Sequence, residues 1–173
     1  MTDSTCDLPV EELAELGVEM VPLHVFVGDG CYLDQIEIKP KEFYAKMAAA
    51  EELPHSSQPS PSAFATAFAK LAEEGAKQVL SIHISDALSG TANSAALAAQ
   101  DSPVPVCVWD TKIGTSMQGI YIKEACHMRD AGETLEVPLP ISRSCASSPL
   151  SSLCSTRSRT SSRTAAAPAP RAL

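Results

Sequence analysis

Residues 78–99 read QVLSIHISDALSGTANSAALAA, and the fold is read outward from them. Val79 to Ile84 is a short apolar run of strand character. Thr91 onward is small and Ala-rich, with good intrinsic helix propensity. Between them stands Ser89-Gly90-Thr91, where Ser89 is expected to be the helix N-cap. A strand that feeds a helix through such a turn leaves backbone N–H groups unpaired at the helix start. Those groups and the helix dipole favour an anion. A Ser cap that binds nothing is the structural alternative, since strand–turn–helix units are common in α/β proteins.

The same alternation extends in both directions. Pro9 suits the first turn of a helix, with the cap near Asp7 or Leu8 and a stop at Gly17. Val18–Val27 (VEMVPLHVFV) has strand density, and Pro22 implies an edge or a bend. Gly28-Asp29-Gly30 is a turn into a short return strand within 31–38. Pro40 opens a helix with Phe43, Met47 and Ala50 on one face. The segment HSSQPSPS, 55–62, carries two prolines and is expected to form no regular element. Ser60 then caps a helix that begins at Pro61 and carries the core stripe Phe64, Phe68 and Leu71 up to Gly75. Val104 to Trp109 is a further strand, ended by Asp110, and Met117 to Asp130 a further helix. This pattern predicts an α/β fold: a three-layer sandwich with a mainly parallel sheet. Ligands of such sheets sit beyond the carboxyl ends of the strands, which places loops 3–7, 55–60, 85–91 and 110–116 on one edge.

Composition divides the chain in two. Residues 1–136 hold eight basic and 21 acidic residues, a net of −13, and form the expected α/β domain. Residues 137–173 hold five Arg and no acid, a net of +5, with ten Ser and repeated Ala and Pro. Such a segment is expected to be a disordered Ser/Arg/Ala/Pro-rich tail. The abrupt change from Lys to Arg and the loss of every acid favour a frameshift product over a regulatory tail. The overall charge of −8 argues against nucleic-acid binding. No apolar run is long enough to span a bilayer, and the first residues do not resemble a signal peptide. The six cysteines show no metal-ligand spacing, so reduced thiols in a cytoplasmic protein are expected and no cofactor or metal is implied.

The hydroxyls of Ser56, Ser57, Ser60, Ser85, Ser89 and Thr91 gather on two loops, each before a helix. Hydroxyls and helix N–H groups can hold a carboxylate or phosphate without a nearby Lys or Arg. Their structural alternative is capping and loop satisfaction. A Ser-dependent hydrolase or phosphotransferase would need Ser89 paired with His83 or His55. His83 lies within a strand and reads more simply as a satisfied structural residue. No nucleophile elbow, P-loop, dinucleotide fingerprint or zinc-protease motif is present.

Taken together, TDSTCDLP, ELGVEMVPLHV, EIKPKEFYAKM, SSQPSP and SIHISDALSGTANSA resemble the DegV family of fatty-acid-binding proteins. The resemblance covers roughly residues 2–136. It implies an α/β domain that buries the acyl chain of a long-chain fatty acid and holds its carboxylate on hydroxyls, presenting it to a partner fatty-acid kinase. The domain itself would be a non-catalytic, cytoplasmic lipid-binding subunit whose membrane contact is at most transient. The implied carboxylate ligands are Ser56, standing where the family usually has Thr, and Ser89. Ser57, Ser85 and Thr91 follow from the same motifs as weaker candidates. Asp86 stands where the family's second Ser is expected, so a negative charge is placed beside the site. The family's strand before T-D-S-T and its second domain have no counterpart here, which makes the chain read as a fragment. A non-functional fragment is the remaining alternative.

Overall fold

A computed structural model describes residues 1–132 of the chain. The expected tail 137–173 lies outside the described residues. The described residues form seven strands and five α-helices, interleaved along the chain. Strands β1 (Thr2–Asp3), β2 (Met20–Val21), β6 (Val79–His83) and β7 (Val106–Asp110) build a four-stranded parallel sheet in the order β2-β1-β6-β7. Strands β3 (His24–Val27), β4 (Gly30–Leu33) and β5 (His55–Ser57) build a separate antiparallel sheet in the order β4-β3-β5.

Side-chain alternation along the strands divides the core into two. Helices α3 (Pro61–Glu73) and α4 (Thr91–Ala99) cover one face of the parallel sheet. Phe64, Phe68, Ala92, Ala95 and Ala98 pack there on Val21, Val79 and Val108. Helices α1 (Val10–Glu15) and α5 (Ser116–Asp130) cover the other, with Leu13, Ile122 and Cys126 against Ile82 and Trp109. The result is the expected three-layer α/β sandwich. The Ala residues of α4 let it sit close to α3 and the sheet, while Phe64 and Phe68, both fully buried, fill the space opposite. Ser60 caps α3 as expected, its hydroxyl accepting from the Ala63 N–H at 3.2 Å.

Several local expectations are corrected. The strand predicted over 18–27 is two strands in two sheets, and Pro22 lies at the crossing between them. Proline lacks the N–H a continuous ladder needs, so the chain leaves one sheet there and enters the other. His55–Ser57, expected to be irregular, is the edge strand β5, paired to β3 through Val25 and Ser56. Its prolines, Pro59 and Pro61, fall after the paired residues and cost the ladder nothing. Helix α2 (Pro40–Ala49) forms, but none of its residues is buried, and Tyr44 and Met47 are exposed. The cap of α1 is Pro9 itself rather than Asp7 or Leu8.

Parallel pairing aligns the carboxyl ends of the strands, with His83 opposite Asp110 and Asp3 opposite Val21. Loops 3–7, 85–91 and 110–116 therefore leave from one edge of the sheet, as predicted. The segment 55–60 joins them from the smaller sheet, because Ser56 and Ser57 share a cavity with Ser89.

Candidate functional site

The cavity at this edge has a volume of about 530 Å³, within the usual range for a small-molecule site. Thr5, Leu23, Ser56, Ser57, Gln58, Ile84, Leu88, Ser89 and Gly90 line it. It thus combines three serines with the aliphatic residues Leu23, Ile84 and Leu88. Among the described residues, no charged side chain lines it.

Each wall has a local cause. Ser56 and Ser57 are carried by β5, whose register against β3 is set by His24 opposite Ser57 and Phe26 opposite His55. The His55 ring stacks on Phe26, with centroids 4.6 Å apart and planes 4° from parallel, which anchors the edge strand. Opposite, the chain turns over Ser85–Ser89, where the N–H groups of Leu88 and Ser89 both donate to the Ser85 carbonyl. Helix α4 begins one residue later than expected. Its N-cap is Gly90 and not Ser89, and no side chain caps it. A Cβ on residue 90 would lie 2.2 Å from the Gln58 Oε1. Gln58 in turn donates from Nε2 to the Ser94 hydroxyl at 3.1 Å. A glycine at the cap lets the SSQP segment approach α4, and the uncapped first turn of that helix faces the serines.

The predicted hydroxyls separate into two groups. Ser56, Ser57 and Ser89 line the cavity together. Ser85 and Thr91 do not: Ser85 is buried and accepts from the Ala87 N–H, while the fully buried Thr91 hydroxyl pairs with that of Ser89 at 2.9 Å. Thr91 thereby orients Ser89. Gln58 and Thr5 line the cavity as well and were not foreseen. Gln58 lay within the quoted SSQPSP motif, but its role depends on an approach to Gly90 that no local pattern encodes.

Asp86 is turned aside. Its carboxylate accepts from Lys112 Nζ at 2.8 Å, and Asp110 binds the same ammonium. Burial alone would raise the Asp110 carboxyl, but its Lys112 hydrogen bonds outweigh this and hold it below the usual range. The Lys112 ammonium is correspondingly raised by its bonds to Asp110 and Asp86.

The serine–histidine couple is not formed. His83 is fully buried, with Nδ1 2.8 Å from Asp3 Oδ2 and Nε2 2.6 Å from the Ser81 hydroxyl. Both ring nitrogens are therefore engaged away from Ser89, whose hydroxyl pairs with that of Thr91. Beyond Phe26, His55 belongs to the smaller sheet's outer strand. Among the described residues, no cluster of His, Cys, Asp and Glu could hold a metal ion, and no helix is long and apolar enough to cross a membrane.

Known proteins provide the context for this geometry. The sequence profile of a family described as "Uncharacterised protein, DegV family" matches residues 1–139. A DegV domain-containing protein of Deinococcus radiodurans is 42% identical over 135 residues, covering 78% of this chain and 48% of that protein. A solved structure described as fatty acid binding of a DegV family protein from Thermus thermophilus is 43% identical, with a TM-score of 0.71 over 78% of this chain and 48% of that one. DegV from Bacillus subtilis, described as a fatty acid binding protein, is 31% identical with a TM-score of 0.73 over the same shares of the two chains. The chain spans about half the length of these relatives.

Proposed function

The chain belongs to the DegV family, and from that premise we propose that it contributes the head-group half of a long-chain fatty-acid site. In this reading Ser56 and Ser89 bind the carboxylate, Ser57 assists, and the first turn of α4 adds backbone N–H groups. Ser85 and Thr91 support the site from behind: Ser85 shapes the turn and Thr91 orients Ser89. Leu23, Ile84 and Leu88 receive the first methylenes of the acyl chain, where apolar contact supplies most of the affinity. The domain is a non-catalytic, cytoplasmic binding subunit that presents the carboxylate to a partner fatty-acid kinase for phosphorylation.

One observation carries this reading. Two hydroxyl-bearing motifs separated by about thirty residues, one on the smaller sheet and one on the turn between β6 and α4, converge on one cavity that also has an aliphatic side. Helix capping alone gives no reason for that convergence. The fatty acids described for the Thermus thermophilus and Bacillus subtilis relatives support the ligand class.

The test is direct. The full chain is purified, extracted with solvent and analysed for fatty acids by mass spectrometry, and then titrated with a fluorescent long-chain fatty acid. A co-purifying fatty acid and saturable binding weakened in S56A and S89A are expected. A chain that carries no lipid and takes up none would overturn the proposal.

A further inference from the structure

Two of the cavity's walls are held by a residue that does not line it. Asp3, fully buried at the carboxyl end of β1, accepts hydrogen bonds on both carboxylate oxygens. Oδ1 accepts from the Thr5 N–H at 3.0 Å and from the Thr5 hydroxyl. Oδ2 accepts from His83 Nδ1 at 2.8 Å, from the Ile84 N–H at 3.3 Å and from Gln118 Nε2 at 3.3 Å. Thr5 and Ile84 both line the cavity, one from the 3-10 turn after β1 and the other from the end of β6.

The partners of Asp3 are themselves fixed. His83 Nε2 lies 2.6 Å from the Ser81 hydroxyl, so both of its ring nitrogens are engaged. Gln118 on α5 donates to the Thr2 hydroxyl at 3.1 Å, and its Oε1 lies 3.1 Å from the Thr5 hydroxyl, whose one hydrogen is shared with or taken by Asp3. Largely buried polar networks of this kind hold a geometry more tightly than their pairwise bonds suggest.

We propose that Asp3 is a positioning residue of the head-group cavity, its buried carboxylate holding the Thr5 and Ile84 walls in register while His83 and Gln118 orient it. This rests on the reading that the cavity receives a fatty-acid head. It adds that recognition of that head depends on a carboxylate the ligand does not touch. A purely structural Asp3 would alter stability and leave discrimination between head groups unchanged.

The experiment compares the full chain with D3N, Q118M and S81A, measuring affinity for palmitic acid and for its methyl ester. The two ligands share a tail, so the ratio of affinities reports the head alone. The ratio is expected to fall by about fivefold in D3N, within the range of coupling terms in a shared network, and in the same direction in Q118M. S81A breaks the network at the end remote from the cavity; it is expected to lower Tm and keep the parental ratio. Folded D3N and Q118M proteins that retain the parental ratio would overturn the proposal, and Q118M decides alone should D3N fail to fold. A parent chain that does not prefer the acid to the ester refutes the head-group reading itself, and the role of Asp3 with it. Preference in the parent that persists in the variants refutes only the role of Asp3.

Discussion

Asp3 and His83 stand eighty residues apart in the chain, yet their carboxylate and imidazole meet at 2.8 Å with both side chains fully buried. They lie on adjacent parallel strands, next to the Thr2–Ile82 register pair. The contact joins the start of the chain to the strand that feeds the candidate site. Phe64 closes the imidazole from the helical side, edge-on at 5.1 Å.

This pair gives the fold an acid-sensitive element. Burial by itself would raise the Asp3 carboxyl, but the hydrogen bond and charge of His83, with the Thr5 donors, outweigh burial and hold it below its ordinary 3.8. A depressed carboxyl stabilises the fold above its unfolded value and ceases to do so as pH falls through the folded value. D3N is therefore expected to be less stable than the parent at pH 7 by about 3 kcal/mol, as for a broken buried pair. The gap closes only on acidification below 3.8. Urea unfolding of both proteins from neutral to strongly acidic pH checks this; a gap that stays constant throughout would refute it.

Removing a candidate ligand hydroxyl is expected to leave the fold intact and to weaken fatty-acid binding. Ser56 is exposed on an edge strand and Ser89 half-buried, so S56A and S89A are expected to change Tm little. Hydrogen bonds to a charged partner contribute about 1.5–3 kcal/mol, so each variant should lose roughly tenfold or more in fatty-acid affinity. Displacement of a fluorescent fatty acid measures it. S85A, which lies outside the lining, should lose less than S89A.

The cap of α4 makes a sharper test. Gly90 has a φ of −72°, which any residue adopts, so G90A meets no backbone strain. Its new methyl instead strikes the end of the Gln58 side chain, which must move and release Ser94. The expected outcome is a small loss of stability, about 1 kcal/mol, with a larger loss of ligand affinity. In the double variant Q58A/G90A the clash is absent, and affinity lost beyond that of Q58A alone should be restored.

Lys112 pairs with two carboxylates on the loops that leave the same edge of the sheet, Asp86 and Asp110. The Asp86 pair is exposed and contributes little, but Asp110 is buried, so K112A leaves that carboxylate without its ammonium and should lower Tm. It uncovers negative charge near the head group, and fatty-acid binding should weaken more at low salt than at high salt. Equal weakening at both ionic strengths would show that the charge is not the cause.

The alternation of elements, the Phe64–Phe68 stripe and the Ser60 cap were legible in the sequence, because each depends on neighbours within one or two turns. The SSQPSP and SDALSGT motifs were legible as hydroxyl-rich loops for the same reason, and the family resemblance was carried by those short runs. Three things were decided only by the tertiary structure. Pairing with β3 turned His55–Ser57 into a strand, since an edge strand of polar residues has no periodic signal of its own. The close approach of Gln58 to Gly90 and Ser94 joined the SSQP segment to the first turn of α4. The parallel register brought Asp3 to His83 and so to Thr5 and Ile84. Local pattern records what a residue can do with its neighbours. Which distant group shares its hydrogen bond is settled when strands pair and burial requires each polar atom to find a partner.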